Sequence, residues 1–143
     1  MAEKDLPNDE SIANDEVLYI RVFPDRDSIT FREPGGGYRP SSFAFKRTGQ
    51  ALSVDFGSLS TPEQTRDRDI NRPFHVAAFT AGVARFVGCK VARAPLPDNP
   101  AHGLVIGNHE RDDGSLSQIQ AKRISKQAAI VLLNPLAPGI DPS

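Results

Sequence analysis

Residues 39–45 read RPSSFAF and residues 52–56 read LSVDF, and these two stretches decide how the middle of the chain folds. Pro40 cannot donate a hydrogen bond to a strand ladder, so it belongs at the start of a strand. If that strand continues, alternation turns Phe43 and Phe45 toward the core. The second stretch alternates in the same way, so together they predict a β-hairpin.

The opposite face of this predicted hairpin is polar. Ser42 would share it with Ser53 and Asp55, and Ser41 lies next to it at the strand start. A slip of one residue in the pairing would move these side chains to the other face. These residues are therefore interpreted as one wall of a cleft.

The rest of the chain alternates short β-like and helical segments. Thr61 with Gln64, and Ser115 with Gln118, match the capping box that opens helices. The second helix of this kind is predicted to reach about Ile130, with Ile119 on its apolar stripe. Strands are predicted over 17–23, 28–31, 74–79, 90–94 and 101–107, and a further helix over 81–87. The fold class is α+β, a single compact domain with a mixed or antiparallel sheet of about five to six short strands and two or three helices.

Domain boundaries follow from composition. Residues 1–15 are polar and acidic, which predicts a disordered N-terminal segment. Residues 16–134 form the α+β domain, and 135–143 form a flexible, proline-rich tail. The chain has 143 residues and a net charge of −1, which suits one domain. Residues 1–16 carry six acids and one base, so the rest holds 16 bases against 12 acids.

Two residues from other strands could complete the cleft. Arg21 shares a strand face with Tyr19 and Phe23, so it either lies across an aromatic ring or binds an anion. His102 shares a face with Leu104 and Ile106, so it is either a core-rim histidine bonded to the backbone or a site residue. Both alternatives stay open for each residue.

Several functional classes are disfavoured. The basic excess of the body is too small to indicate a nucleic-acid partner. No segment approaches the roughly 18 apolar residues of a membrane span, and the single cysteine, Cys89, fits a reducing compartment, so a cytoplasmic location is expected. His102 and His109 are seven residues apart and would face opposite ways on one strand, so no metal site is predicted. Gly35–Gly37 lack P-loop spacing and predict a plain loop.

The patterns RPSSFAF, LSVD and PLPDNPAH (residues 95–102) resemble a widespread group of small uncharacterised bacterial proteins. The chain is also similar to RES-type and wider ADP-ribosyltransferase-like domains, which consume NAD, at Arg21, at 35–39 and at Glu63. That second resemblance implies that Arg21 would hold a pyrophosphate, and that Glu63 or Asp55 would be the catalytic carboxylate. Ser41 or Ser42 would then orient a ribose, and His102 would hold a ribose or adenine group.

Two functions remain from different classes, so the sequence leaves open whether the protein is an enzyme. The first is a non-enzymatic accessory or interaction module of a bacterial system, in a defence or toxin context, whose partner is another protein. The basic cluster Lys122, Arg123 and Lys126 and the acidic N-terminus would then meet partners. The alternative is an NAD-binding, ADP-ribosyltransferase-like or RES-like effector. A small anionic ligand suits either, and no cofactor other than NAD is implied.

Overall fold

A computed structural model describes residues 2–31, 37–46, 49–68, 74–107, 113–135, 137 and 140. Three α-helices lie in these residues: α1 (Pro62–Asp67), α2 (Ala81–Phe86) and α3 (Gln118–Gln127). The strands are β1 (Val17–Val22), β2 (Ile29–Phe31), β3 (Tyr38–Pro40), β4 (Leu52–Phe56), β5 (His75–Thr80), β6 (Lys90–Arg93), β7 (His102–Ile106) and β8 (Ala129–Leu132).

Six of these strands form one sheet in the order β6-β7-β4-β1-β5-β8, in which all neighbours are antiparallel. Strands β2 and β3 pair separately, also antiparallel. Strand β1 lies inside the sheet, where Tyr19 pairs with Asp55 on one side and with Ala78 on the other. The predicted α+β fold with a small antiparallel sheet and two or three helices is confirmed.

The sheet has one apolar face and one partly polar face, because successive side chains of a strand point to opposite sides. Leu18, Ile20 and Val22 of β1 join Phe56 of β4 in the main core. Residues of α2 and α3, among them Ala84, Ala121 and Ile124, belong to the same core and cover this face. The other face carries Tyr19, Arg21, Ser53, Asp55 and His102, with α1 packed beside β1 and β5.

The predicted hairpin of residues 40–46 with β4 is wrong. The first stretch ends its strand at Pro40, which pairs with Ile29 of β2, and Ser42–Phe45 then form a 3₁₀-helix. With three residues per turn, this helix buries Phe45 and leaves Phe43 58% exposed, whereas a strand would bury both. Strand β4 takes β1 and β7 as its neighbours.

The helix predicted to reach Ile130 ends at Gln127, and the next residues form β8 against β5. Its capping box is also shifted by two residues, since Ser117 and Gln120 form it. The sequence repeats the same Ser-x-x-Gln spacing at both places, so local pattern alone does not separate them. The predicted cap of α1 at Thr61 and Gln64 is present.

Residues 2–15, which belong to the segment 1–15 whose composition predicts disorder, pack on the domain. The Arg85 guanidinium donates hydrogen bonds to Asn8 Oδ1 at 2.9 Å and Asn14 Oδ1 at 2.8 Å, and to the carbonyls of Asp9 and Ile12. Ile12 itself is buried. The acceptors in these four hydrogen bonds are side-chain amides and backbone carbonyls. The number of acidic side chains in the segment therefore says little about whether it packs on the domain. Of the predicted tail, only residues 135, 137 and 140 are described.

Candidate functional site

A polar cleft of about 280 Å³ opens on the face of the sheet away from the main core. Its floor comes from three adjacent strands, β1, β4 and β7. One wall is the C-terminal end of α1, and the other is the turn between β6 and β7. The lining side chains with polar groups are Tyr19, Arg21, Ser53, Asp55, Thr65, Arg68, Asp98, Asn99 and His102.

Asp55 joins the two walls. Its Oδ2 accepts hydrogen bonds from Thr65 Oγ1 at 2.8 Å and from Arg68 Nε at 2.7 Å, both on the α1 side. Its Oδ1 accepts one from Asn99 Nδ2 at 2.8 Å, on the turn side. The residue is only 5% exposed, so these bonds replace the water that a carboxylate would otherwise hold.

The environment of Asp55 keeps it ionised. Burial alone would raise its pKa, because desolvation disfavours the charged form. Hydrogen bonds from Asn99, Arg68 and Thr65, together with the positive charge of Arg68, outweigh burial, and the pKa lies below its ordinary value. At neutral pH Asp55 is therefore an anion, and it organises its neighbours.

A tight turn brings Asn99 to this position. Leu96 and Asn99 exchange two backbone hydrogen bonds of 3.0 Å, which leaves Pro97 and Asp98 at the exposed tip. Asn99 Oδ1 accepts from the backbone N–H of Ala101 at 3.1 Å, the side-chain bond typical of an Asx turn. Because that oxygen is used in the turn, the Nδ2 group is the one directed to Asp55.

His102 is oriented by the backbone of Ala94, the residue that follows β6. Its Nδ1 lies 2.7 Å from the carbonyl oxygen of Ala94. A carbonyl oxygen only accepts, so Nδ1 carries the hydrogen, and in the neutral ring Nε2 has an available lone pair. The half-buried ring lines the cleft and can accept a hydrogen bond from a ligand there.

Arg21 is held by an aromatic ring. Its guanidinium lies 5.2 Å from the centroid of the Phe74 ring, within the range of a cation–π contact. Phe74 is buried and packs in turn on Phe23, with ring centroids 5.6 Å apart. Arg21 also lines the cleft, and the planar set of N–H donors on a guanidinium suits an anion. Among the residues described, Arg21 forms no ion pair.

The structure brings together four of the seven site residues expected from sequence: Arg21, Ser53, Asp55 and His102 all line the cleft. Glu63 does not, and it lies exposed in the first turn of α1.

The serine pair also lies outside the cleft lining. Ser41 donates its hydroxyl to the carbonyl of Asp27, and its N–H to the carbonyl of Ser28. Together these bonds tie the end of β3 to the turn before β2. Ser42 starts the 3₁₀-helix that replaced the predicted strand. Gly35, Gly36 and His109 fall outside the described residues.

The sequence interpretation missed Thr65, Arg68 and Asn99. The charged residues 66–69, Arg-Asp-Arg-Asp, predict a solvated face, yet the Arg68 side chain is only 25% exposed and contacts Asp55. The i, i+3 spacing of Thr65 and Arg68 places both on one side of a helix, and this signal was available. Asn99 carried no comparable signal, because its partner is 44 residues away in sequence.

Cys89 is not part of the cleft. It is buried, and burial raises the pKa of its thiol to about 12, so it stays protonated at neutral pH. No group of three His, Cys, Asp or Glu side chains suited to a metal occurs within the described ranges. Over the same ranges, no helix has the length and apolar character needed to cross a membrane.

Comparisons of the chain with protein-family models, with curated proteins and with solved structures gave no match.

Proposed function

We propose that this protein is a non-enzymatic binding module whose cleft holds a small anionic ligand. The observation that carries the proposal is Arg21, which contacts a buried ring, lines a polar cleft and forms no ion pair with the residues that the structure describes. Ordering an arginine in this way lowers the entropy that a ligand must overcome when it binds.

The remaining charges of the cleft narrow the ligand class. Asp55 is neutralised by Arg68 at 2.7 Å, which leaves Arg21 and Asp98 as the separate charges. Arg21 suits a phosphate or carboxylate, and Asp98 suits a hydroxyl or amino donor. Ser53 and the Nε2 atom of His102 add further hydrogen-bonding groups. A phosphorylated sugar combines these features in one molecule.

The size of the cleft favours a ligand of that kind. Pockets for drug-sized ligands usually measure about 300–1,000 Å³. A cleft of about 280 Å³ lies just below that range. It accommodates a sugar phosphate or the phosphoribosyl part of a nucleotide better than a complete dinucleotide.

Binding is tested by calorimetry with ribose 5-phosphate, with ribose as the probe that lacks the phosphate. We expect ribose 5-phosphate to bind and ribose to bind at least about tenfold more weakly, since a charge-assisted contact contributes about 1.5–3 kcal/mol. Arg21→Gln, which removes the guanidinium but keeps a polar chain, should abolish the difference between the two probes.

Ser42→Ala and Glu63→Gln are matched controls, because both residues lie outside the cleft lining. They should bind ribose 5-phosphate as the wild type does. Equal binding of the two probes by the wild type, or unchanged binding by Arg21→Gln, would refute the proposal.

The second candidate is the NAD-consuming, ADP-ribosyltransferase-like activity. It is favoured by the presence of Arg21, Ser53, Asp55 and His102 in one cleft. The positions of the two candidate carboxylates disfavour this activity. Both oxygens of Asp55 already accept hydrogen bonds from protein groups, and Glu63 lies outside the cleft lining. Release of nicotinamide from NAD⁺ by the wild type, lost in Asp55→Asn, would establish this activity in place of simple binding.

We also propose an accessory role in the bacterial cytoplasm, in a defence or toxin context, for the binding module. The single, buried cysteine agrees with a reducing compartment.

A further inference from the structure

An apolar groove of about 550 Å³ lies between α2 and α3, on the opposite side of the sheet from the cleft. Val83, Phe86 and Val87 line it from the α2 side, and Arg123, Lys126 and Gln127 line it from α3. Phe86 is 87% exposed, the highest exposure among the large apolar side chains of the described residues.

A second exposed apolar side chain lies on α3, outside the groove lining. Ile119 is 65% exposed, although the sequence pattern predicted it for the core stripe. It lies one turn before Arg123 on the same face of the helix, because residues four apart are neighbours on a helix. Single exposed apolar residues are ordinary, but an apolar groove that includes an almost fully exposed phenylalanine is typical of an interaction surface.

The charges around the groove are positive. Helix α3 carries Lys122, Arg123 and Lys126 and no acidic residue. On α2, Arg85 is occupied by the N-terminal segment. Two acidic residues, Asp15 and Glu16, lie near the N-terminal end of α2. There the backbone N–H of Ala81 donates a hydrogen bond to the carbonyl oxygen of Glu16.

The Glu16 carboxylate turns away from the groove. It accepts hydrogen bonds from the backbone N–H and the hydroxyl of Ser58, in the turn after β4. The C-terminal half of the groove therefore presents apolar surface beside two cations.

We propose that this groove docks an acidic amphipathic helix of a partner protein. An amphipathic helix inserts apolar side chains at i, i+3, i+4 and i+7 into a groove of this kind. Phe86 and Val83 would contact that apolar face, and acids on its flank would pair with Arg123 and Lys126. The site is independent of the ligand proposed for the cleft.

A membrane surface fits the same region less well. Recognition of anionic lipid headgroups typically uses clusters of about four to eight basic residues. Helix α3 supplies three, and only two of them line the groove. A concave site also suits an inserted side chain better than a flat bilayer.

The test uses an 18-residue synthetic peptide with leucine at i, i+3, i+4 and i+7 and glutamate on the other face. A second peptide carries lysine in place of glutamate. Fluorescence anisotropy should show that the glutamate peptide binds at least about tenfold more tightly than the lysine peptide. Phe86→Ser, and Arg123→Glu combined with Lys126→Glu, should each weaken it by about tenfold or more.

Two control variants separate docking from general surface effects. Lys122→Glu makes the same charge change on the same helix outside the groove lining, and Leu59→Ser removes an exposed apolar side chain elsewhere. Neither single change should alter binding of the glutamate peptide by more than about twofold. Peptide binding by Lys122→Glu is compared with peptide binding by Arg123→Glu alone, because each of these variants reverses one positive charge.

Folding of each variant is checked by its thermal transition, which the exposed position of Phe86 should leave unchanged. Absence of glutamate-peptide binding, equal binding of both peptides, or unchanged binding by Phe86→Ser would overturn the proposal. Binding of phosphatidylserine vesicles alone, without the peptide, would replace it with a membrane role. Ribose 5-phosphate binding should be the same in Phe86→Ser and wild type, so failure here stays distinct from failure of the cleft proposal.

Discussion

At the scale of single residues, Asp55 holds the two walls of the cleft together through its hydrogen bonds with Thr65, Arg68 and Asn99. Asp55→Asn removes the charge opposite Arg68 and turns one acceptor oxygen into a donor group. We expect the free energy of unfolding to fall by about 2–3 kcal/mol, measured by urea denaturation, because a mostly buried ion pair loses one partner.

Asp67→Asn is the matched control for that change. It also breaks an aspartate–arginine pair, with Arg66 at 2.7 Å, but this pair is at the surface, with side chains 37% and 59% exposed. Exposed pairs contribute little, so the effect should stay within about 0.5 kcal/mol. Equal losses in the two variants would contradict the role assigned to Asp55.

His75 makes stability depend on pH. It is fully buried, its Nδ1 accepts from the backbone N–H of Asn134 at 2.9 Å, and its Nε2 has no partner among the described residues. Burial lowers its pKa, and the charge of Asp25 offsets this only in part.

Because the unfolded histidine titrates near pH 6.5, the unfolded chain binds more protons just below that pH than the native protein does. The stability contributed by neutral His75 should therefore be fully present above about pH 6.5. The free energy of unfolding should decrease as the pH falls below that value. The slope is at most about 1.4 kcal/mol per pH unit for one proton. His75→Asn should remove this slope, read from denaturation curves between pH 7 and 5.

Asp55→Asn should leave the decrease in the free energy of unfolding below pH 6.5 unchanged. It should reduce a second decrease that occurs at lower pH. The lowered pKa of Asp55 means that its contribution is present above about pH 3.9 and is lost as pH falls through the native pKa. Loss of the step near pH 6.5 in Asp55→Asn, or its persistence in His75→Asn, would show that another group titrates there.

At the scale of secondary-structure elements, β7 depends on a glycine. A Cβ atom on Gly103 would lie 2.5 Å from two ring carbons of Phe56 and 2.9 Å from the carbonyl oxygen of Ala92. Phe56 is itself buried and carries the Arg93 guanidinium 5.4 Å from its ring centroid. The ring therefore has little room to move.

We expect Gly103→Ala to reduce the free energy of unfolding by about 1–3 kcal/mol, the usual cost of overpacking. Phe56→Leu combined with Gly103→Ala should recover part of that loss, because a smaller side chain leaves space for the methyl group. Urea denaturation of the two single variants and the double variant measures the coupling. Additive losses would mean that Phe56 is not the residue that excludes a side chain at 103.

Local patterns predicted most of the elements. The strand at β1 follows from its alternation, and the helix α1 follows from Thr61, Pro62 and Gln64, whose effects act within one turn. The failures occurred where two local outcomes compete. RPSSFAF suits a strand or a 3₁₀-helix, and only packing with α3 and with the turn at Arg26–Ser28 decides between them.

At the scale of the whole molecule, Arg85 attaches the N-terminal segment to the domain with four hydrogen bonds of 2.8–2.9 Å. Arg85→Met keeps a long side chain but removes every donor. We expect residues 2–16 to become sensitive to limited proteolysis and to exchange amide hydrogens quickly, while the sheet keeps its protection. Arg66→Met, which removes a surface arginine, is the control and should behave like the wild type.

The N-terminal contacts also explain why composition misjudged the segment. Mean polarity and charge measure how much apolar surface a stretch can bury, and this stretch buries only Ile12 completely. Its order comes from contacts with residues far away in sequence, among them Arg85, Lys90 and Val91, that no local average includes. Unchanged proteolysis of Arg85→Met would show that other contacts are sufficient.

The amino-acid order alone was enough to indicate the α+β class, the positions of most strands, the capped start of α1 and the candidate roles of Arg21, Ser53, Asp55 and His102. These features depend on alternation, helical spacing and turn chemistry, all of which act over a few residues. The assembled cleft required the tertiary structure, because Asp55 meets Thr65, Arg68 and Asn99 only after β4 pairs with β1 and β7. The strand order is chosen by burial of the whole apolar face at once, and no local pattern carries that information.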